Sequence, residues 1–184
     1  MPAFKDLEAA VVARKFCLGC GACTAACPVH CLELKSGVPA LSGRCINCGI
    51  CYEECLQTAG YEKVSKQWGL KGDDGLIGPH LAAYAAESPE KTVREQAQDG
   101  GAVTALLKTL LEYEYVDGAI VTGHESEPLL PEAKVVTRPE EVVKYAGSKY
   151  CRGPIFPAVM DAVKHYGRTR LAFVGLPCQV ATVR

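Results

Sequence analysis

Two cysteine runs with the same spacing dominate the chemistry available to this chain. The first is Cys17, Cys20, Cys23 and Cys27, followed by Pro28, and the second is Cys45, Cys48, Cys51 and Cys55. Both read C-x2-C-x2-C-x3-C. Four thiolates are needed around an iron–sulfur cube, and three closely spaced cysteines wrap only part of it. The fourth ligand must therefore come from elsewhere, and where such runs are paired the fourth cysteine of each serves the other cluster. The expectation is two [4Fe–4S] clusters, one on Cys17, Cys20, Cys23 and Cys55 and the other on Cys45, Cys48, Cys51 and Cys27. Zinc sites use two C-x2-C pairs per metal, which is a different pattern.

Small residues at Gly19, Gly21, Ala22 and Gly49 suit a tight wrap, because backbone amides must approach the cluster sulfurs and glycine tolerates unusual φ. Hydrogen bonds from those amides would tune the potential. Leu56 stands where the first run has proline, a change that affects the exit turn and no ligand. Cys31 falls outside both runs and reads as a small buried hydrophobe. Residues 13–60 thus form an internal repeat, with short strands expected at Leu32 to Leu34 and just before Cys45. About fifty residues bury little core, so the module depends on its clusters for stability.

Composition narrows the setting. With 184 residues, 48% apolar, 22% charged and a net charge of -1, the chain is globular and carries no basic run for nucleic acid. Its longest apolar stretches fall far below the roughly 18 residues that span a bilayer. The N-terminal residues have Asp6 and Glu8 and no long apolar core, unlike a signal peptide, so cytoplasmic residence is the default. Eleven cysteines in that setting point to metal chemistry before disulfides.

The elements that must position a second site lie further along. Residues 61–89 read as an ordered linker with scattered glycines, in which Trp68 is a core anchor. Val103, Leu106, Leu107, Leu110 and Leu111 predict an amphipathic helix from about Gly101, with Asp99 as its cap. Strands are expected at Ala119 to Val121 and at Val135 and Val136, with a short helix from Glu140 to Tyr145. Val159, Ala162, Val163 and Tyr166 predict another helix. Leu171 to Val174 is a continuous apolar run, as in a strand covered on both faces of a parallel sheet, and Pro177 suits the first turn of a helix after it. A βαβ layout stopping at Arg184 is expected to be an incomplete domain. The fold class read here is an α+β ferredoxin-like two-cluster module (1–60), the linker, and a partial α/β domain with a mixed or parallel sheet (90–184).

Three segments carry a resemblance: Gln96 to Leu107 with its Gln98, Asp99, Gly100, Gly101 and Thr104; Gly147 to Tyr150; and Gly175 to Arg184 with its Pro177, Cys178 and Gln179. Together they resemble the family of coenzyme F420 hydrogenase/dehydrogenase beta subunits, most of all the input subunit of a reduced-F420 dehydrogenase linked to quinone or phenazine pools. The resemblance implies a bound FAD that takes hydride from reduced coenzyme F420 and passes single electrons through the clusters to other subunits of a redox complex. It also implies a cytoplasmic location, peripheral on the inner face of the membrane through those partners. A hydride carries two electrons and each cluster accepts one, so a flavin is the natural converter.

By the same resemblance, Gly100 and Gly101 let backbone approach the flavin or its phosphates at a helix N-terminus. Thr104 adds a hydroxyl, and Gln98 and Asp99 border the site. Ser148, Lys149 and Tyr150 contact flavin or coenzyme, and Pro177, Cys178 and Gln179 stand at the C-terminal end of a strand. Read without the resemblance, Asp99 and Gly100 are a turn and cap, and Lys149 is a solvated loop residue. Cys178 is either at the flavin edge or unassigned, and Cys151 reads as a buried structural thiol. His124 and His165 receive no role. A second reading takes the chain as an electron-transfer module of a larger complex, without catalysis of its own.

Overall fold

The structure, a computed structural model, describes residues 2–58, 80–124, 131–151 and 153–183. Much of the linker, including Trp68, lies outside the described residues. The chain opens with a helix that the sequence reading did not anticipate. Helix α1 (Phe4–Leu7) runs into a π-helical turn (Glu8–Val12), and Phe4, Leu7 and Val11 are buried. Their i, i+3, i+7 spacing is the signal that could have found it.

Each cysteine run folds into a loop and one short helix, α2 (Ala22–Ala25) in the first and α3 (Ile50–Glu53) in the second. Between them lies an antiparallel hairpin of β1 (Leu32–Lys35) and β2 (Val38–Leu41), as expected. Its turn residues, Ser36 and Gly37, both have positive φ (50° and 77°), the geometry that matches the twist of a two-residue hairpin. Phe4, Leu7 and Val11 pack on Cys27, Cys31, Leu32 and Cys51 to form this half's core.

The second half contains α4 (Lys91–Gln96), α5 (Ala102–Glu112), β3 (Gly118–Gly123), β4 (Glu132–Val136), a 3-10 segment (Pro139–Tyr145), α6 (Phe156–Lys164), β5 (Leu171–Phe173) and α7 (Pro177–Val183). The sheet order is β4-β3-β5, with β4 antiparallel and β5 parallel to β3. It is therefore mixed. Along β3 successive side chains face opposite layers. Ile120 points to Ile155, Phe156, Ala158 and Ala162 around α6, while Ala119 and Val121 meet Leu107, Leu111, Val136 and Val142.

Several expectations need correction. Asp99 makes no capping bond to α5; Gly101 is the cap, in the left-handed region at φ 72°. Of the expected apolar stripe on α5, Leu107 and Leu111 are buried, whereas Val103 and Leu106 are exposed. The segment from Pro139 is 3-10 and not α-helical, with Pro139 at its start. Tyr166 lies beyond α6 and is exposed. Strand β5 is at the sheet edge among the described residues and only half-buried, so it is not covered on both faces.

The two halves share a core. Ala22 belongs to the cluster around α6, and the Cys20 carbonyl accepts hydrogen bonds from the Ile155 and Phe156 amides at 3.2 and 3.3 Å. A side chain at Gly21 would come within 3.1 Å of Pro157, so the first cysteine loop lies directly on the start of α6.

Candidate functional site: two thiol cavities beside a cleft

The fold gathers the cysteines into two groups. One cavity is lined by Cys17, Cys20, Cys23 and Cys55, together with Cys178. A second is lined by Cys27, Cys45, Cys48 and Cys51, together with Cys31. The fourth cysteine of each run lines the other run's cavity. Among the described residues no three metal-binding side chains converge on one ion. The thiols instead line the walls of the two cavities.

The two runs repeat each other in backbone as well as in spacing. Residues before and after the second cysteine are left-handed in both: Gly19 and Asn47 (φ 67° and 56°), and Gly21 and Gly49 (φ 83° and 81°). Gly21 and Gly49 each start the following short helix. The Gly19 and Asn47 amides each donate to the sulfur of the run's first cysteine at 3.4 Å. Asparagine is the residue after glycine that enters this region most readily, so Asn47 does in the second run what Gly19 does in the first. Sequence reasoning picked out Gly19 and missed its counterpart.

Electrostatics follow from crowding thiols in apolar surroundings. Burial, reinforced by Cys20, Cys55 and Cys17, pushes the Cys23 thiol up to about 12. Burial also raises Cys20, Cys51 and Cys55, with neighbouring cysteines adding to the rise. Cys27 differs: burial works upward on it too, but amides of Cys31 and Val29 hold it below the ordinary thiol value. Several thiolates this close need compensating cations, and loading them releases protons. Leu7 and Val11 close the first cavity, and Phe4 borders the second.

The third feature is a wide cleft in the second half of the chain. Gln98, Asp99, Gly100, Gly101, Thr104, Ser148, Lys149 and Gln179 all line it, so eight of the eleven residues singled out from the sequence meet there. The cleft lies at the C-terminal ends of the parallel pair, where Val121 and Thr122 end β3 and Val174 to Leu176 follow β5. That is the ligand edge of α/β sheets. The first turn of α5 opens onto it with no side-chain cap, leaving amides and the helix dipole to an anion. A side chain at Gly100 would meet the Ala86 carbonyl at 2.9 Å, and Ser88 donates its amide to the Gly100 carbonyl at 2.7 Å. This turn is fixed from behind.

Two segments fifty residues apart are tied across the cleft. The Gln98 amide side chain accepts from the Ser148 N–H at 3.3 Å and donates to the Tyr150 hydroxyl. Tyr150 is thus a partner of a lining residue and not itself part of the wall. Lys149 spends its ammonium on the carbonyls of Tyr145, Ala146 and Gly147 at 3.2, 2.8 and 2.8 Å, and burial lowers its pKa. It holds the loop together while leaving its charge at the cleft. Cys151, expected to be buried, is half-buried in the cleft wall.

Helix α7 separates cleft from cavity. Gln179 faces the cleft and accepts the Leu176 amide at 2.8 Å, whereas Cys178 and Thr182, one turn apart, face the first thiol cavity. Pro177 starts the helix and lines neither. The three neighbouring residues expected at one flavin edge therefore divide between two sites, because adjacent helical positions point about 100° apart.

No helix among the described residues is long and apolar enough to cross a membrane. The chain is similar to the beta component of the coenzyme F420 hydrogenase of Methanosarcina barkeri, 32% identical over 61% of this chain and 38% of the relative. It is also similar to a component of the F(420)H(2) dehydrogenase of Methanosarcina mazei, 27% identical over 96% of this chain and 50% of that protein. Among solved structures, the F420-reducing [NiFe] hydrogenase complex from Methanosarcina barkeri superposes with a TM-score of 0.51 at 31% identity, over 56% of this chain and 37% of that one. The chain spans about half the length, or less, of these relatives. The family described as coenzyme F420 hydrogenase/dehydrogenase, beta subunit N-term, matches residues 83–160, which hold the cleft's glycine turn and the loop tied to it. Residues 83–160 thus belong to the family of coenzyme F420 hydrogenase/dehydrogenase beta subunits, and the F(420)H(2) dehydrogenase component, aligned over 96% of this chain, carries the likeness through the cysteine runs.

Proposed function

We propose that this chain is the electron-input subunit of an iron–sulfur flavoprotein oxidoreductase, carrying electrons from reduced coenzyme F420 by way of FAD and two [4Fe–4S] clusters to a partner subunit. The observation that supports this most is α7, which presents Gln179 to the cleft and Cys178 to the first thiol cavity. When bound, FAD supplies the exchange of one hydride for two single electrons. The chain's own residues do the rest. The α5 first turn and Gly101 receive an anionic group, and Gln98 holds the 147–150 loop that borders the cleft. Lys149 places positive charge beside it. Hydride transfer between two stacked rings asks for orientation more than for a protein acid or base.

The arrangement also orders the wire. Helix α7 lines both the first cavity and the cleft, whereas the second cavity is lined only by residues of the cysteine module, so electrons enter at Cys17, Cys20, Cys23 and Cys55 and leave by Cys45, Cys48, Cys51 and Cys27. The test is anaerobic purification with measurement of iron, sulfide and flavin, followed by addition of reduced coenzyme F420. Cluster bleaching that requires bound flavin is expected. Clusters without flavin and without response would leave an electron-transfer module, and zinc without acid-labile sulfide would overturn both readings.

A further inference from the structure

The second cavity has one thiol more than a cube needs. Cys31 is buried, with its sulfur 3.5 Å from that of Cys27, and both line the space closed by Cys45, Cys48 and Cys51. The backbone enforces this meeting. His30 turns the chain in the left-handed region at φ 49° and donates its amide to the Cys27 carbonyl at 3.2 Å, folding Cys31 back over Cys27. The Ser42 amide then clamps the Cys31 carbonyl at 2.9 Å at the start of the hairpin.

We propose that Cys27 and Cys31 are interchangeable ligands, either of which can hold the same iron of the cluster in the second cavity. This rests on the cluster reading above. Metal–thiolate bonds are about 2.3 Å, and side chains move between staggered rotamers without displacing backbone. The sulfurs are 3.5 Å apart, so small χ1 changes at the two cysteines would trade one for the other. The exchange is redox-neutral: Cys31 gives up its proton as it bonds iron, and Cys27 takes one as it leaves. Crowding alone does not explain the pair, since a core position beside a cluster could be filled by alanine or valine without a second sulfur.

The experiment uses the full chain, produced anaerobically as wild type, C27A, C31A and C27A/C31A, with iron and sulfide counted per chain and electron paramagnetic resonance recorded. Wild type is expected to hold about eight irons; a chain without iron and sulfide would sink the cluster reading itself. Both single variants are expected to keep the full iron content, while the double variant loses iron and shows a three-iron signal or one surviving cluster. Iron loss in either single variant overturns the exchange while leaving the clusters standing, as does full retention in the double. A C27A chain that fails to accumulate while C31A accumulates overturns it equally, because Cys31 then does not substitute.

Discussion

Gly101 shows how much one residue decides at the cleft. At φ 72° it opens α5, and an added methyl would sit 2.9 Å from Val93 and 3.3 Å from Ala97. Gly101→Ala is expected to cost roughly 1–3 kcal/mol and to lower bound flavin, read by thermal unfolding and by flavin released per chain. Gln98→Ala is the complementary change, since it frees the 147–150 loop without touching the core. Its cost to stability should stay near 1 kcal/mol or less while flavin retention falls; unchanged retention would remove Gln98 from the site. The glycines and Gln98 were singled out through the resemblance, since read alone Asp99 and Gly100 signal only a turn and cap. Asn47 was not, because its left-handed turn shows only when two folded runs are laid over each other. Cys178 was visible as a cysteine, but which wall it faced needed the helix.

At the scale of elements, the parallel pair β3 and β5 is pinned at its start by Asp117. Its carboxylate accepts from the Thr169 and Arg170 amides at 3.2 and 3.3 Å, and its own amide donates to the Arg170 carbonyl at 2.8 Å. Partial burial works against the charge, but those amides win and hold the carboxyl below its usual range. A depressed carboxyl stabilises above its unfolded value, and that stability is lost as pH falls through the folded one. Asp117→Asn is therefore expected to be less stable near neutrality and to show a flatter decline toward acid, measured as urea midpoints across pH. The strands and α5 were readable from apolar runs. The 3-10 form of Pro139–Tyr145 and the edge position of β5 were not, because both depend on neighbours distant in sequence. Helix α1 was readable in principle from Phe4, Leu7 and Val11, a pattern overshadowed by the cysteines that follow.

For the whole molecule, the order of the two cavities is the testable property. Cys20→Ala should remove the first cluster's wiring, with about four irons at stake, and stop coenzyme-driven reduction of the second, while dithionite still reduces what remains. Cys48→Ala should leave the first cluster reducible by the coenzyme. If both variants respond alike, the order is wrong. The hydrogen bonds from Ile155 and Phe156 to the Cys20 carbonyl carry a further consequence. They hang the start of α6, and with it one face of the sheet below the cleft, on the loop that the proposed first cluster would set. On the reading proposed above, a chain made under iron starvation would lack the support that shapes its cleft as well as its clusters. On that reading a flavin held without an onward conductor would be open to oxidation by dioxygen, and a cleft that fails together with the clusters would withhold the flavin from that reaction.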